Sequence, residues 1–121
     1  QEQLSESELT NLVTKFRAYK DNGDHGTFFG RDADYNRPAS VREAGLWHVH
    51  MADEESGPFK LKIAKFNRKS NTALVYCHGF YSKNHILLIS VLHNVHELYA
   101  QQPHSWHTAL VKIADGFRCK Y

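Results

Sequence analysis

PFKLKIAKFNRKSNTALVYCHGFYSKNHILLISVLHNVH, residues 58–96, decides how the chain reads. It holds Lys60, Lys62, Lys65, Arg68, Lys69 and Lys83, four histidines (His78, His85, His93, His96) and no Asp or Glu. It also carries the strongest strand patterns. Lys60–Phe66 alternates, with Lys60, Lys62, Ala64 and Phe66 on one side and Leu61, Ile63 and Lys65 on the other, the period of two expected of a half-buried strand. Ala73–His78 is a second strand. ILLISVL at Ile86–Leu92, apolar on both faces, suits the centre of a sheet. The short connections Asn67–Thr72 and Gly79–Asn84 predict an antiparallel meander. A sheet bearing cations and no acids suits a phosphate-rich partner such as RNA, and its histidines titrate near neutral pH. The alternative is an ordinary solvated face.

Upstream, Leu46–Met51 alternates: Trp47, Val49 and Met51 share one face, and Leu46, His48 and His50 share the other. Two histidines on one strand face are compatible with a structural, a catalytic or RNA-contacting, or a metal-binding role; no HxxxH motif or cysteine at ligand spacing accompanies them. The first helix is signalled by a Ser5/Glu8 capping box with Leu4 and Leu9 as a hydrophobic staple. Its apolar stripe is Leu9, Leu12, Val13, Phe16 and Tyr19, and Asn22-Gly23 stops it. Residues 23–45 read as an irregular connection in which Arg31 either pairs locally with Asp32 or contacts a phosphate. HNVHELYAQQ reads as a short helix or turn. A last helix begins near Ser105 with the stripe Trp106, Ala109, Leu110, Ile113 and Phe117, and Gly116 ends or kinks it.

Composition bounds the rest. The 121 residues suit one domain with one core. The net charge of +2 excludes a generally basic nucleic-acid glue, but its distribution is polarised: residues 1–55 hold 11 acids against 6 Lys/Arg, and residues 56–96 hold none against 6. No run reaches the length of a membrane span, and no signal peptide is visible, which leaves the cytoplasm as the expected location. Of the two cysteines, Cys77 is expected to be a buried thiol. A chain beginning at Gln1 suggests a trimmed N-terminus. There is no glycine-rich phosphate loop, nucleophile elbow or zinc-finger spacing.

The order helix, connection, antiparallel meander resembles the toxins of bacterial type II toxin–antitoxin systems with the RelE/YoeB-like fold, through PFKLKI, ALVY and HILLISVL. The chain is more closely similar to the YafO family of ribosome-dependent mRNA interferases, through LSESELTNLVTKFRAYKDNG, FGRDADY, HVHMADEESGPF, ALVYCHG, ILLISVL and the closing ADGFR, a set of motifs running nearly end to end. The resemblance implies an α+β, RelE-like domain spanning residues 1–121, with an antiparallel, mainly meander sheet of about four strands between an N-terminal and a C-terminal helix. It further implies an endoribonuclease that cuts mRNA on the ribosome by 2′-OH transesterification, without metal or cofactor. The implied partners are a cognate antitoxin, the ribosome and mRNA, with no membrane. The RelE-like fold has a short strand before the first helix, which the quoted residues lack. The family's arginine on the strand equivalent to Ala73–His78 has no counterpart at Ala73. The expected site comprises Lys60 and Lys62 as phosphate ligands, Arg68 as the transition-state arginine, and His93 or His96 as acid or base, with His48 and His50 as second choices. Lys65, Lys83, Arg118 and Lys120 are expected on RNA backbone, and Tyr81 or Tyr99 on a base. The other reading is a translation inhibitor that binds RNA or the ribosome without cutting.

Overall fold

A computed structural model describes residues 5–34, 43–93 and 106–121, without the side chains of residues 66 and 106–108. The elements in order are α1 (Glu6–Asn22), β1 (Phe29–Asp34), β2 (Leu46–Met51), a 3-10 turn at Lys65–Asn67, β3 (Ala73–His78), β4 (Ile86–Leu92) and α2 (Trp106–Lys120). The strands form one sheet in the order β1-β2-β3-β4, every pair antiparallel. The α+β class, the four-stranded meander and a helix towards each end therefore match the expectation.

Local chemistry sets the helix ends. Ser5 caps α1, its Oγ accepting from the Glu8 N–H at 3.2 Å while the Glu8 carboxylate accepts from the Ser5 N–H at 3.1 Å. Two orphan amides are thereby satisfied. Gly23 ends the helix with φ 71° and donates back to the carbonyls of Ala18 and Tyr19. The helix α2 runs unbroken through Gly116 to Lys120, so that glycine does not end it.

The sheet has a core on each side. Against α1 lie Leu12, Phe16, Tyr19, Phe29, Val49, Met51, Leu74 and Tyr76. Against α2 lie Ala44, Leu46, Val75, Cys77, Leu92, Leu110 and Ala114. β3 is buried along nearly its whole length because both layers close on it. Rings of Phe16, Tyr19, Phe29 and Tyr76 pack with centroids 5.0–6.0 Å apart, pairs worth about 0.5–1.5 kcal/mol each beyond area burial. Both cysteines are free thiols, Cys77 buried and Cys119 exposed; burial pushes the Cys77 thiol up against a smaller opposing effect of Arg118.

Three strand assignments need correction. β4, apolar on both faces and expected in the sheet centre, is an edge strand, partly exposed from Ile86 to Val91, and β3 is the strand buried on both faces. The alternating Lys60–Phe66 is not a strand: Ile63 N–H donates to Lys60 O, Asn67 N–H to Ala64 O and Arg68 N–H to Lys65 O, so these amides close turns rather than a ladder. Leu61 and Ile63 are consequently exposed, at 72% and 38%. The fourth strand is instead β1, inside the supposed irregular connection. FGRDAD is charged and contains a glycine, features tolerated at a sheet edge. Gly30 is needed because residue 68 runs beside β1: Arg31 N–H donates to Arg68 O at 2.9 Å, and a Cβ at position 30 would run into that carbonyl and lie 2.8 Å from Arg68 Cβ. Gly30→Ala should cost about 1–3 kcal/mol, measurable as a lowered urea midpoint with an unchanged slope.

Candidate active site

A dense polar cluster lies on the α1 face of the sheet and centres on Asp32 of β1. Its carboxylate accepts from Tyr19 OH at 2.6 Å, from Tyr76 OH at 2.7 and 2.9 Å and from Lys20 Nζ at 3.4 Å. Lys20 Nζ also donates to Tyr76 OH at 2.9 Å, and Lys65 Nζ donates to Tyr19 OH at 2.6 Å. Both ammonium groups sit over aromatic faces, Lys20 4.8 Å from the Tyr76 centroid and Lys65 4.6 Å from that of Tyr19. Secondary structure explains the convergence: Tyr19 and Lys20 close the last turns of α1, Asp32 pairs with Val49 on that sheet face, and Tyr76 points the same way from β3. Burial, with the Asp32 carboxylate, holds both phenols well above their ordinary range, so they stay protonated donors.

His78 borders this cluster, two residues along β3. Its ring meets those of Tyr76 at 5.6 Å and Trp47 at 6.0 Å. Burial, then the charges of Lys20 and Lys83, hold it below its ordinary value against the opposing pull of Asp32. The imidazole is thus neutral at pH 7. Lys20 further lines a 430 Å³ groove between α1 and β4 with Arg17, Asp21, Asn84, Ile86 and Leu88.

The expected site residues are dispersed. Lys60 and Lys62 are exposed on the turn before the 3-10 segment. Lys65, expected on RNA backbone, joins the Asp32 cluster instead. Arg68 is 2% exposed: its Nε donates to Ile63 O at 2.9 Å, and its Nη groups donate to Gly26 O, Phe29 O and Leu61 O. This guanidinium fastens the loops around β1 through their carbonyls, away from the Asp32 cluster's cations. His93 is exposed in a different groove, alongside Glu8, Asp53, Glu54 and Glu55, carboxylates that repel phosphate. His96 and Tyr99 lie outside the described residues. Tyr81 is 80% exposed beside Phe80 at 5.0 Å. Arg118 stacks 5.2 Å over Phe80 and donates to Glu43 O. Lys83 and Lys120 are exposed.

His48 and His50 share the α2 face, their rings 5.7 Å apart. His50 is buried with Nδ1 2.9 Å from Ser70 O, which ties the loop before β3 to β2. Among the described residues, no group of three or more His, Cys, Asp or Glu is placed to hold a metal ion. The cations of the Asp32 cluster are Lys20 and Lys65, with His78 at its border. Of these, Lys20 and His78 were not among the expected site residues: only the register of β1, which sets Asp32 opposite Val49, brings that carboxylate to Lys20.

Burial, then His50 and Arg31, push His48 down to about 4, with Asp32 opposing. Its folded value lies below the unfolded value of 6.5, so the unfolded chain binds the proton more readily. Stability is therefore full above about pH 6.5 and falls as pH drops towards 4, by up to about 3 kcal/mol. Thermal melts across this window should show a shallower acid-side decline for His48→Gln than for the wild type.

The family model described as toxin YafO of a type II toxin–antitoxin system matches residues 17–119. The mRNA interferase toxin YafO of Escherichia coli (strain K12) is 32% identical over 123 residues, covering 98% of this chain and 92% of that protein. No solved structure matches significantly. The match covers α1 from Arg17, all four strands and nearly all of α2, so the chain belongs to the YafO toxin family of type II toxin–antitoxin systems.

Proposed function

We propose that this protein is an mRNA interferase: an endoribonuclease that acts in the cytoplasm on ribosome-bound mRNA and so stops translation. The observation that carries this reading is the Asp32 network, which fixes the Lys20 and Lys65 ammonium groups on Tyr76 and Tyr19, with the neutral His78 against the Tyr76 ring. Lys20 has a carboxylate partner, whereas Lys65 has a hydroxyl. The cluster therefore retains positive charge for a phosphate.

In the proposed reaction the neutral His78 takes the proton of a ribose 2′-OH, which attacks the adjacent phosphorus. Lys20 and Lys65 stabilise the extra negative charge of the phosphorane, and protonation of the departing 5′-oxygen is assigned to the same ammonium pair. The products are a 2′,3′-cyclic phosphate and a 5′-hydroxyl. A base works best with a pKa near the working pH, and the causes acting on His78 keep its basic form available. Tyr19 and Tyr76 hold the lysines in place and transfer no proton. The 430 Å³ groove past Lys20 and Arg17 is assigned to the RNA strand. Lys60, Lys62, Lys83 and Lys120 are assigned to sequence-independent backbone contacts, with Tyr81 and Phe80 as a stacking surface.

Primer extension on mRNA from a ribosome-based translation reaction tests this. New 5′ ends should appear with wild-type protein. They should fall about a hundredfold or more with Lys65→Ala or Lys20→Ala, and by about 10²–10⁴-fold with His78→Ala. Lys60→Ala and Lys62→Ala should cost less, with a salt-dependent loss. Translation arrest without new ends would establish a non-cleaving inhibitor. Full cleavage by the Lys65 and His78 variants would sink the site assignment.

A further inference from the structure

The acidic half of the chain forms a second surface that the cleavage chemistry leaves unexplained. A 620 Å³ groove lies between α1, the turn after β2 and the end of β4. Its apolar lining includes Phe28, Met51 and Val91, and the turn after β2 contributes Asp53, Glu54 and Glu55. Its volume falls within the roughly 300–1,000 Å³ of pockets that bind ligands. Burial pushes the Asp53 carboxyl up, but hydrogen bonds from Ser56, Thr72 and Asn71 outweigh it and hold the group below its ordinary value, so it is fully ionised at neutral pH. Asp53 also fixes the turn, its Oδ1 accepting from Ser56 N–H at 2.7 Å and its Oδ2 from Thr72 Oγ1 at 3.0 Å. Glu54 and Glu55 project from that turn and are exposed. Lys15 is the lining lysine, its ammonium 4.2 Å over the Phe28 ring, against the carboxylates of Glu8, Asp53, Glu54 and Glu55. A groove with this excess of acids disfavours RNA and favours an amphipathic segment whose apolar side is flanked by Lys or Arg.

We infer that this groove docks a basic-flanked amphipathic segment of the cognate antitoxin, the partner that membership of a type II toxin–antitoxin family implies. Docking at this groove places antitoxin contacts on a surface separate from the Asp32 cluster. The inference does not depend on the protein being a nuclease.

The test is calorimetric titration of the purified antitoxin into wild-type protein, Glu54→Lys/Glu55→Lys and Lys60→Glu/Lys62→Glu. All four positions are exposed, and circular dichroism confirms that each variant is folded. Asp53 and Glu8 are left intact because the first fixes the turn and the second caps α1. The acidic-pair variant should bind about tenfold more weakly or worse, with the deficit largest at low salt, and the basic-pair variant should bind at least as well as wild type. With the antitoxin co-expressed, the acidic-pair variant should still arrest growth, and without it the arrest should match wild type. Wild-type affinity in the acidic-pair variant overturns the inference, whatever the basic pair does. Loss of growth arrest by that variant alone would instead count against the separation of this groove from the toxic surface.

Discussion

One carboxylate ties the structure together. Asp32 accepts hydrogen bonds from α1 through Tyr19 and Lys20 and from β3 through Tyr76, and Tyr19 in turn receives the Lys65 ammonium from the 3-10 turn. Three pieces of chain meet at one side chain whose relative exposure is 7%, and a fourth joins through Tyr19. Burying a charge is unfavourable by several kcal/mol unless nearly every lone pair is satisfied. Here charge-assisted bonds from two phenols and an ammonium meet that need. The network fixes β1, an edge strand with little apolar surface, to the sheet. It also holds the Lys20 ammonium on Tyr76, the ring that His78 packs against, and the Lys65 ammonium on Tyr19. Fold and chemistry thus draw on the same interaction.

Much of the fold was legible because it rests on local signals. The Ser5/Glu8 cap, the Leu12–Phe16–Tyr19 stripe and the apolar β4 run each state their structure within a few residues. The strand at Leu46–Met51 was equally clear, and its two histidines do share one face. The errors have a common cause in Arg68. Alternation over Lys60–Phe66 imitates a strand, but the Arg68 guanidinium gathers the carbonyls of Leu61 and Ile63 and curls the segment into turns. The same residue's backbone pairs with Arg31, helping to make a strand of the glycine-containing, charged FGRDAD. A buried arginine bonded to carbonyls has no sequence signature that separates it from one meant for phosphate.

The site was legible in kind more than in position. Lysines and a histidine near a strand end were anticipated, and Lys65 was singled out for RNA. The residues that converge are Lys20, Lys65 and His78, however, because pairing of β1 with β2 at Asp32 and Val49 sets the meeting point. That pairing is a long-range fact. The charge polarity along the chain was visible from the start, and it now has a spatial meaning. Acids of the first half edge the groove near His93, while cations gather on the Asp32 face, at the turn before the 3-10 segment and beside the β3–β4 connection. Two surfaces of opposite sign can serve two partners without competition.

The central claim is that Asp32 positions the reactive lysines, and the most direct measurement is the cleavage rate of Asp32→Asn on ribosome-bound mRNA, read beside its thermal melt. The account predicts a folded protein, with a cooperative melt at reduced midpoint, whose cleavage falls by about two orders of magnitude because Lys20 and Lys65 lose their fixed geometry. A folded Asp32→Asn protein that cleaves at the wild-type rate would contradict it.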